Sequence, residues 1–411
     1  MHIAIDIRCL MERELTGVGE YTFNLLKHLF EIDAKNQYYL FYNSRQNVRQ
    51  YIPKFPKDNV HYCEFRWPNK LLNLSLLLFR RPRLDLWLQK KLNFSGIDLF
   101  FFPNISFFRT VCPYILTVHD ISFEFFPEFL SIKRRLWHKI IQPKKLLQNA
   151  VRIIAVSDNT RRDLLNTYGL NPECVQTILS GISTNYKKIK QEDGRLEEIK
   201  KKYQLPEKFI LFLGTLEPRK NIETLVAAFN IFQKRYPKYF LVIAGKRGWK
   251  CAGVEKIIEQ TNNVIGVNFI KDAEKRYFYN LASMFVYPSH YEGFGFPALE
   301  AMACGCPVIA SNNSSLAEIC GNAAMLVNSY DINDLARALE EMLLVEIDQR
   351  YRQRGLEQAR RFNWYLTAQK LLNAFTSITS GRPKTQPTVI TRIRLWRRRS
   401  NLNGIASLRS Q

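Results

Sequence analysis

Two glutamates, Glu292 and Glu300, stand in an otherwise apolar stretch, Ser289-His-Tyr-Glu-Gly-Phe-Gly-Phe-Pro-Ala-Leu-Glu-Ala-Met-Ala-Cys-Gly-Cys-Pro-Val-Ile-Ala-Ser311. Gly293 and Gly295 leave the backbone room to approach a ligand. Pro297 suits the first turn of a helix predicted to run on to about Ala303. A helix start offers free N–H groups and the positive end of a dipole, which together make an anion site. Two acids beside an anion site need partners of their own. Carboxylates only accept hydrogen bonds, and sugar hydroxyls donate them. A diphosphate with a sugar on each side, a nucleotide sugar, would satisfy every group.

A second, basic site points the same way. Leu213-Gly-Thr-Leu-Glu-Pro-Arg-Lys-Asn221 ends a predicted strand and opens a helix, where ligands sit in open α/β sheets. Arg219 and Lys220 there could neutralise a diphosphate; taken alone, they would equally suit a solvated helix start.

The elements that must hold these residues read as short apolar strands alternating with helices. Ile3–Leu10 predicts a strand, Thr16–Gly19 a turn, and Glu20–Phe30 a helix. Further strands are expected at Tyr38–Tyr42, Asp98–Pro103, Tyr114–Asp120 and Arg152–Ser157, with a helix opening at Ser157 or Asp158, good N-cap types. Around Pro206 the pattern restarts, with strands at Phe209–Gly214, Tyr239–Gly245, Asn263–Phe269, Met284–Tyr287 and Pro307–Ala310 and a helix at Asn221–Tyr236. Such alternation predicts an α/β chain of two doubly wound halves with parallel sheets covered on both faces. The expected division is residues 1–185, then 186–361, a helix within 362–380, and a basic, disordered tail at 381–411. The Lys-rich stretch Thr184–Lys202 is the expected junction. In the tail, Arg392, Arg394, Arg397, Arg398 and Arg399 interleave with Ile390, Ile393, Leu395 and Trp396, so a membrane-surface role is a second reading.

Composition bounds the class. The chain has 411 residues, 46% of them hydrophobic, enough for two or three domains. No apolar run approaches the ~18–20 residues that cross a bilayer, and the N-terminus lacks the pattern of a signal peptide. The eight cysteines include no Cys-x-x-Cys pair and read as reduced core residues, which suits the cytosol. A net charge of +23 would suit nucleic acid, an anionic membrane face or anionic substrates.

Gly214–Asn221 and Tyr287–Ser311 resemble the large retaining glycosyltransferase family 4, a resemblance that spans most of residues 1–380 and is strongest from 205 to 330. It implies the GT-B fold, two Rossmann-like domains facing a cleft, with the acceptor on the first and the nucleotide sugar on the second. Thr117-Val-His-Asp-Ile-Ser-Phe-Glu-Phe-Phe-Pro127 resembles the mannosyltransferases that build bacterial surface polysaccharides. By motif, Glu300 would bind ribose hydroxyls and Glu292 would face the donor sugar near the reacting carbon. Lys220 and Arg219 would hold the diphosphate, helped by backbone N–H groups around Phe294, Gly295 and Phe296. Gly17 and Gly19 would line the crevice from the first domain, and His119 matches the family's active-site histidine. Gly214 and Thr215 fall in the donor site; many members carry an arginine where Thr215 stands, so diphosphate binding rests more on Arg219. The inter-domain stretch also departs, reading Ser180-Gly-Ile-Ser183 in place of Asn-Gly-hydrophobic-Asp.

The expected reaction is transfer of a hexose, mannose from GDP-mannose above others, with retention at the anomeric carbon. No Asp-x-Asp sits at a strand end and no His/Cys cluster has ligand spacing, so no metal or other cofactor is expected. A glycan or polyprenyl-linked acceptor in an anionic membrane would suit the basic stretch Lys133, Arg134, Arg135, Lys139, Lys144 and Lys145 beside Phe123, Phe125, Phe126 and Trp137; a solvated basic helix is the plainer reading. The chain would then be cytoplasmic, peripheral on the inner membrane face. A sugar-nucleotide epimerase or a non-catalytic glycan or nucleotide binder would share the fold. No nucleic-acid motif accompanies the charge.

Overall fold

The computed structural model describes residues 1–94 and 96–380. The segment 381–411, expected as a basic disordered tail, lies outside the described residues. The chain divides into two units, Met1–Lys370 and Leu371–Gln411; the described part of the second is the end of one helix, Trp364–Ser380.

Among the described residues the first unit holds two parallel sheets. The first comprises β1 (His2–Asp6), β2 (Gln37–Asn43), β3 (Val60–Phe65), β4 (Leu99–Phe102), β5 (Tyr114–Val118), β6 (Arg152–Ala155) and β7 (Val175–Thr177), in the order β3-β2-β1-β4-β5-β6-β7. The second comprises β8 (Phe209–Leu213), β9 (Phe240–Ala244), β10 (Val264–Val267), β11 (Met284–Tyr287), β12 (Val308–Ser311) and β13 (Met325–Val327), ordered β10-β9-β8-β11-β12-β13. Both follow the doubly wound pattern, so strand order reverses between β1 and β4 and again between β8 and β11. Ligands bind at the carboxyl ends of strands at such a reversal. The strands are short apolar runs because helices cover both faces: every residue of Phe209-Ile-Leu-Phe-Leu213 is buried.

Several elements differ from expectation for local reasons. The first strand stops at Asp6, whose carboxylate takes the Arg8 guanidinium at 2.6 Å and turns Arg8–Leu10 into a single 3₁₀ turn. Thr16 caps the following helix, so Gly17–Ile32 begins before Glu20 and the expected Gly-Val-Gly turn is its first turn. The basic stretch is two helices, Ile132–Ile141 and Pro143–Asn149, broken at Gln142, which takes φ 54° ahead of Pro143. Part of the Lys-rich junction is itself helical, Gly194–Lys202. The short strands β3, β7 and β13 were not signalled by long apolar runs.

The chain passes between the halves twice, and the two passages are fastened together. Ile182 N–H donates to the Phe362 carbonyl at 3.2 Å, and Thr367 Oγ1 donates to the Leu179 carbonyl at 2.8 Å. A side chain at Gly181 would place Cβ 2.2 Å from the Trp364 nitrogen, so only glycine allows this approach. Cys304 and Cys306 are free and buried. Among the described residues no helix is long and apolar enough to cross a membrane.

Candidate active site

Because β8 and β11 are neighbours, with Phe285 beside Leu211, the loops that follow them meet. Asn221 stitches these loops, donating to the carbonyls of Pro288 at 3.1 Å and Ser329 at 2.6 Å. His290 N–H donates to the Arg219 carbonyl at 2.9 Å. This brings Arg219, Lys220 and Glu292 together. Lys220 Nζ lies 2.5 Å from Glu292 Oε1 and 2.6 Å from the Tyr287 hydroxyl. Arg219 contacts Glu292 Oε2 at 2.9 Å, donates to the Tyr291 carbonyl at 2.6 Å, and pairs with Glu217 at 2.6 Å.

The electrostatics follow from this geometry. Burial alone would raise the Glu292 carboxyl, but Arg219 and Lys220 overcome it and hold its pKa at about 2. Burial, then the adjacent Arg219 charge, lowers the Lys220 ammonium, with Glu292 opposing. Arg219 is held well above its ordinary value despite burial, by Glu292 and Glu217. Two cations therefore share one ionised carboxylate in a buried pocket.

The first half closes over this group at one backbone contact. Gly293 lies so near His119 that a Cβ would fall 1.8 Å from the His119 carbonyl oxygen. Ser157 Oγ donates to the Gly293 carbonyl at 2.8 Å, and Tyr291 OH donates to Asp163 at 2.5 Å. Glu318 of the second half accepts from the Asp158 and Asn159 N–H groups at 2.9 and 2.8 Å, capping the helix Asp158–Tyr168. The His119 ring meets Tyr21 edge-on at 4.7 Å. Its Nε2 lies 2.9 Å from the Pro103 carbonyl, which can only accept, so Nε2 carries the proton. Burial lowers its pKa.

His119 and Arg219 line a common cavity of about 330 Å³ between the halves, together with Asp120, Phe126, Phe129, Trp137 and Trp249. Trp249 reaches in from the second half, donating to the Phe129 carbonyl at 2.6 Å, while the Arg134 guanidinium covers its ring at 3.6 Å.

Glu300 belongs to a different group. Tyr279 OH donates to it at 2.9 Å, and Lys275, which pairs with Asp272 at 2.6 Å and Glu20 at 3.2 Å, is the cation whose charge acts on it. Burial raises the Glu300 carboxyl, with Lys275 opposing. Burial likewise pushes Glu20 up to about 7, Lys275 opposing and Glu300 adding to it. Among the described residues the hydrogen-bond and ion-pair partners of Glu292 and Glu300 do not overlap. Glu292 directly precedes the bend at Gly293–Gly295 and Glu300 sits inside the helix Phe296–Ala303 that follows it, so the two carboxylates lie in separate charge clusters.

The remaining expected residues are placed as follows. Gly17 is exposed and Gly19 buried in the first turn of their helix, and Val18 between them lines the cavity. Gly214 and Thr215 follow β8, with Thr215 exposed. Gly295 takes φ 103° before the helix Phe296–Ala303. Phe294 and Phe296 turn their rings into aromatic packing, Phe294 against Phe362 at 5.8 Å and Phe296 against Trp364 at 6.3 Å, so only their backbone faces the turn.

Residues 15–186 match the family model described as Glycosyltransferase Family 4, and residues 196–362 match Glycosyl transferases group 1. The first half thus carries a glycosyltransferase family 4 domain and the second a group 1 domain, and the chain is a glycosyltransferase. This glycosyltransferase is 29% identical over 387 residues to O-antigen chain mannosyltransferase B of Escherichia coli, covering 88% of its own length and 96% of the relative's. In fold it is similar to sucrose-phosphate synthase of Thermosynechococcus elongatus, with a TM-score of 0.72 at 20% identity over 92% of this chain and 99% of that one. It is also similar to Anabaena Alr3699/HepE solved with UDP-glucose, with a TM-score of 0.67 at 16% identity over 92% and 100% of the two chains. Two Rossmann-like halves of the GT-B type are therefore its fold.

Sequence reasoning missed Tyr287, Glu217, Trp249, and the partners of Glu300 in this glycosyltransferase. Tyr287 and Glu217 lay inside the quoted motifs, and a polar group beside a strand-end lysine was the available signal. Trp249 lies in the loop that follows β9, the position where sheet loops carry ligands.

Proposed function

We propose that this glycosyltransferase moves a hexose, mannose from GDP-mannose, with retention onto a glycan or polyprenyl-linked glycan. The observation that carries this reading is the convergence of Arg219, Lys220 and Glu292 at the carboxyl ends of β8 and β11, opposite His119. The cations would meet the charge that develops on the departing diphosphate, with backbone N–H groups of Phe294, Gly295 and Phe296 beside them. This function would need no divalent ion, and unchanged initial rates after chelation with EDTA would test that. Glu292, ionised and doubly paired, would accept a hydrogen bond from the donor sugar and fix both cations, acting neither as an acid nor as a covalent nucleophile. Neutral His119 would contact the sugar from the first half, and Glu300 would take the ribose hydroxyls.

In the reaction, the bond from the anomeric carbon to the phosphate oxygen breaks. The acceptor hydroxyl oxygen bonds to that carbon from the same face, and its proton passes to the leaving phosphate. Two relatives support parts of this reading: an O-antigen chain mannosyltransferase supports the sugar, and a structure of similar fold that holds UDP-glucose supports a nucleotide-sugar donor. The first half would bind the acceptor and the second the donor, at an anionic cytoplasmic membrane face where a lipid-linked acceptor resides.

A thermal-shift panel of nucleotide sugars tests the donor, because a ligand bound only by the native state raises its melting temperature. A selective response to GDP-mannose, with an α-linked product by NMR, is the expected result. A response confined to another sugar or base would replace the donor, and an inverted product would end the retaining reading.

A further inference from the structure

The helix Asn69–Leu78 reads Asn-Lys-Leu-Leu-Asn-Leu-Ser-Leu-Leu-Leu, and the fold uses only two of its leucines. Leu72 and Leu76, one turn apart, are buried. Leu71, Leu74 and Leu78 recur at same-face spacing on the other side. They are 57%, 49% and 62% exposed, and Phe79 beyond them is 71% exposed. A helix of a soluble protein buries one apolar stripe and leaves the rest polar. This helix carries a second stripe that no described residue covers.

The surrounding charge identifies what would cover it. Between Glu64 and Asp85 the sequence has no acid and five bases, Arg66, Lys70, Arg80, Arg81 and Arg83. Glu64 is paired with Arg66 and Arg49, and buried Asp85 accepts the backbone N–H groups of Val111 and Cys112. Lys70, Arg80 and Arg81 are exposed and, among the described residues, enter no ion pair. Trp67, 49% exposed, precedes the helix, where an indole would sit at headgroup level. A second copy of the chain would bring the same unopposed bases face to face, like against like. Anionic headgroups above a hydrocarbon layer match both features at once.

We propose that this helix, with Trp67 and the segment Phe79–Arg83, docks the chain on an anionic phospholipid bilayer. Ten residues make a helix of about 15 Å, half the thickness of a hydrocarbon core, so it lies along the surface. The same half carries the cavity wall: Arg83 donates to the Thr110 carbonyl at 3.3 Å, and Phe107 of that loop packs edge-on to Trp137 at 5.9 Å. A lipid-linked acceptor would thus be presented on the half that docks. That use rests on the function proposed above, whereas the docking does not.

The test is flotation of the full chain with vesicles of phosphatidylcholine, with and without phosphatidylglycerol, across a salt series and without substrate. The parent should float only with the anionic vesicles and release as salt rises. Two variants, Leu71→Ser with Leu74→Ser and Leu78→Ser, and Arg80→Glu with Arg81→Glu, should each lose at least about tenfold in partition with unchanged melting. Undiminished flotation of both variants, parent flotation independent of lipid charge, or a parent dimer in solution that the serine variant breaks would each overturn the proposal. Transfer to a water-soluble glycan acceptor, measured on the same variants, is expected to persist. Its absence in the parent too would count against the proposed function and leave the flotation result standing.

Discussion

Around Glu292 two cations converge on one carboxylate; around Glu300 one lysine faces three carboxylates, Glu300 itself, Glu20 and Asp272. Both glutamates are buried and belong to one motif, yet the first is held ionised and the second is pushed toward its neutral form. Burial acts on both in the same direction, so the difference lies in the number and sign of neighbouring charges. The cluster in which Arg219 and Lys220 lie side by side on one carboxylate suits a leaving diphosphate. The cluster with excess acceptors suits hydroxyl groups.

Four substitutions break or sharpen this contrast. The largest effect is expected from Lys220→Met, which keeps the stem and removes the charge. Transfer kcat should fall on the order of a thousandfold, about 4 kcal/mol of transition-state stabilisation. Steady-state rates within tenfold of the parent would show that the charge sits away from the reacting bond.

Glu292→Gln comes next, and its signature is in pH. A carboxyl lowered from 4.5 to about 2 contributes stability above pH 4.5 that is lost as pH falls toward 2, on the order of 3 kcal/mol. Urea unfolding of parent and variant should therefore converge in acid and separate at neutral pH. Parallel curves would remove the ion cluster as the cause.

Glu300→Gln should act with the opposite sign. Glu20, raised from 4.5 to about 7, makes the folded state hold its proton more tightly than the unfolded chain, so stability declines as pH rises from 4.5 through 7. Removing the neighbouring carboxylate lowers the Glu20 pKa and shallows that decline, read from urea midpoints at either end of the window. The donor KM should rise by about tenfold, with kcat little changed.

Tyr279→Phe is the mildest. It deletes one hydrogen bond to Glu300 and should cost about 1 kcal/mol in thermal unfolding while leaving the pH behaviour of Glu292 untouched.

Much of the frame was legible in the chain. Apolar runs such as Phe209–Leu213 and Met284–Tyr287 marked the strands whose carboxyl ends carry the chemistry, and the motif around Glu292 pointed to nucleotide-sugar transfer. Less legible was the break at Gln142, because a proline in a basic helical pattern can kink a helix or end it. The exposed face of Asn69–Leu78 was hidden too, since six leucines in ten residues announce burial without saying which of them the fold will cover. Lys275, Glu20 and Tyr279 could not have been assigned to Glu300, for Glu20 comes from the helix Gly17–Ile32 and the other two from the helix Asp272–Leu281, elements brought to Glu300 only by packing.

The sequence alone determined which groups were available and where they would emerge. Strands, turns and helix starts depend on neighbours along the chain, and the order of apolar runs, glycines and prolines specifies them locally. Only the tertiary structure decided which charges meet, that Gly293 would sit against the His119 carbonyl, and that Glu292 would be ionised while Glu300 resists ionisation. Those outcomes depend on distance and burial across segments far apart in sequence, and electrostatic energy is sensitive to both.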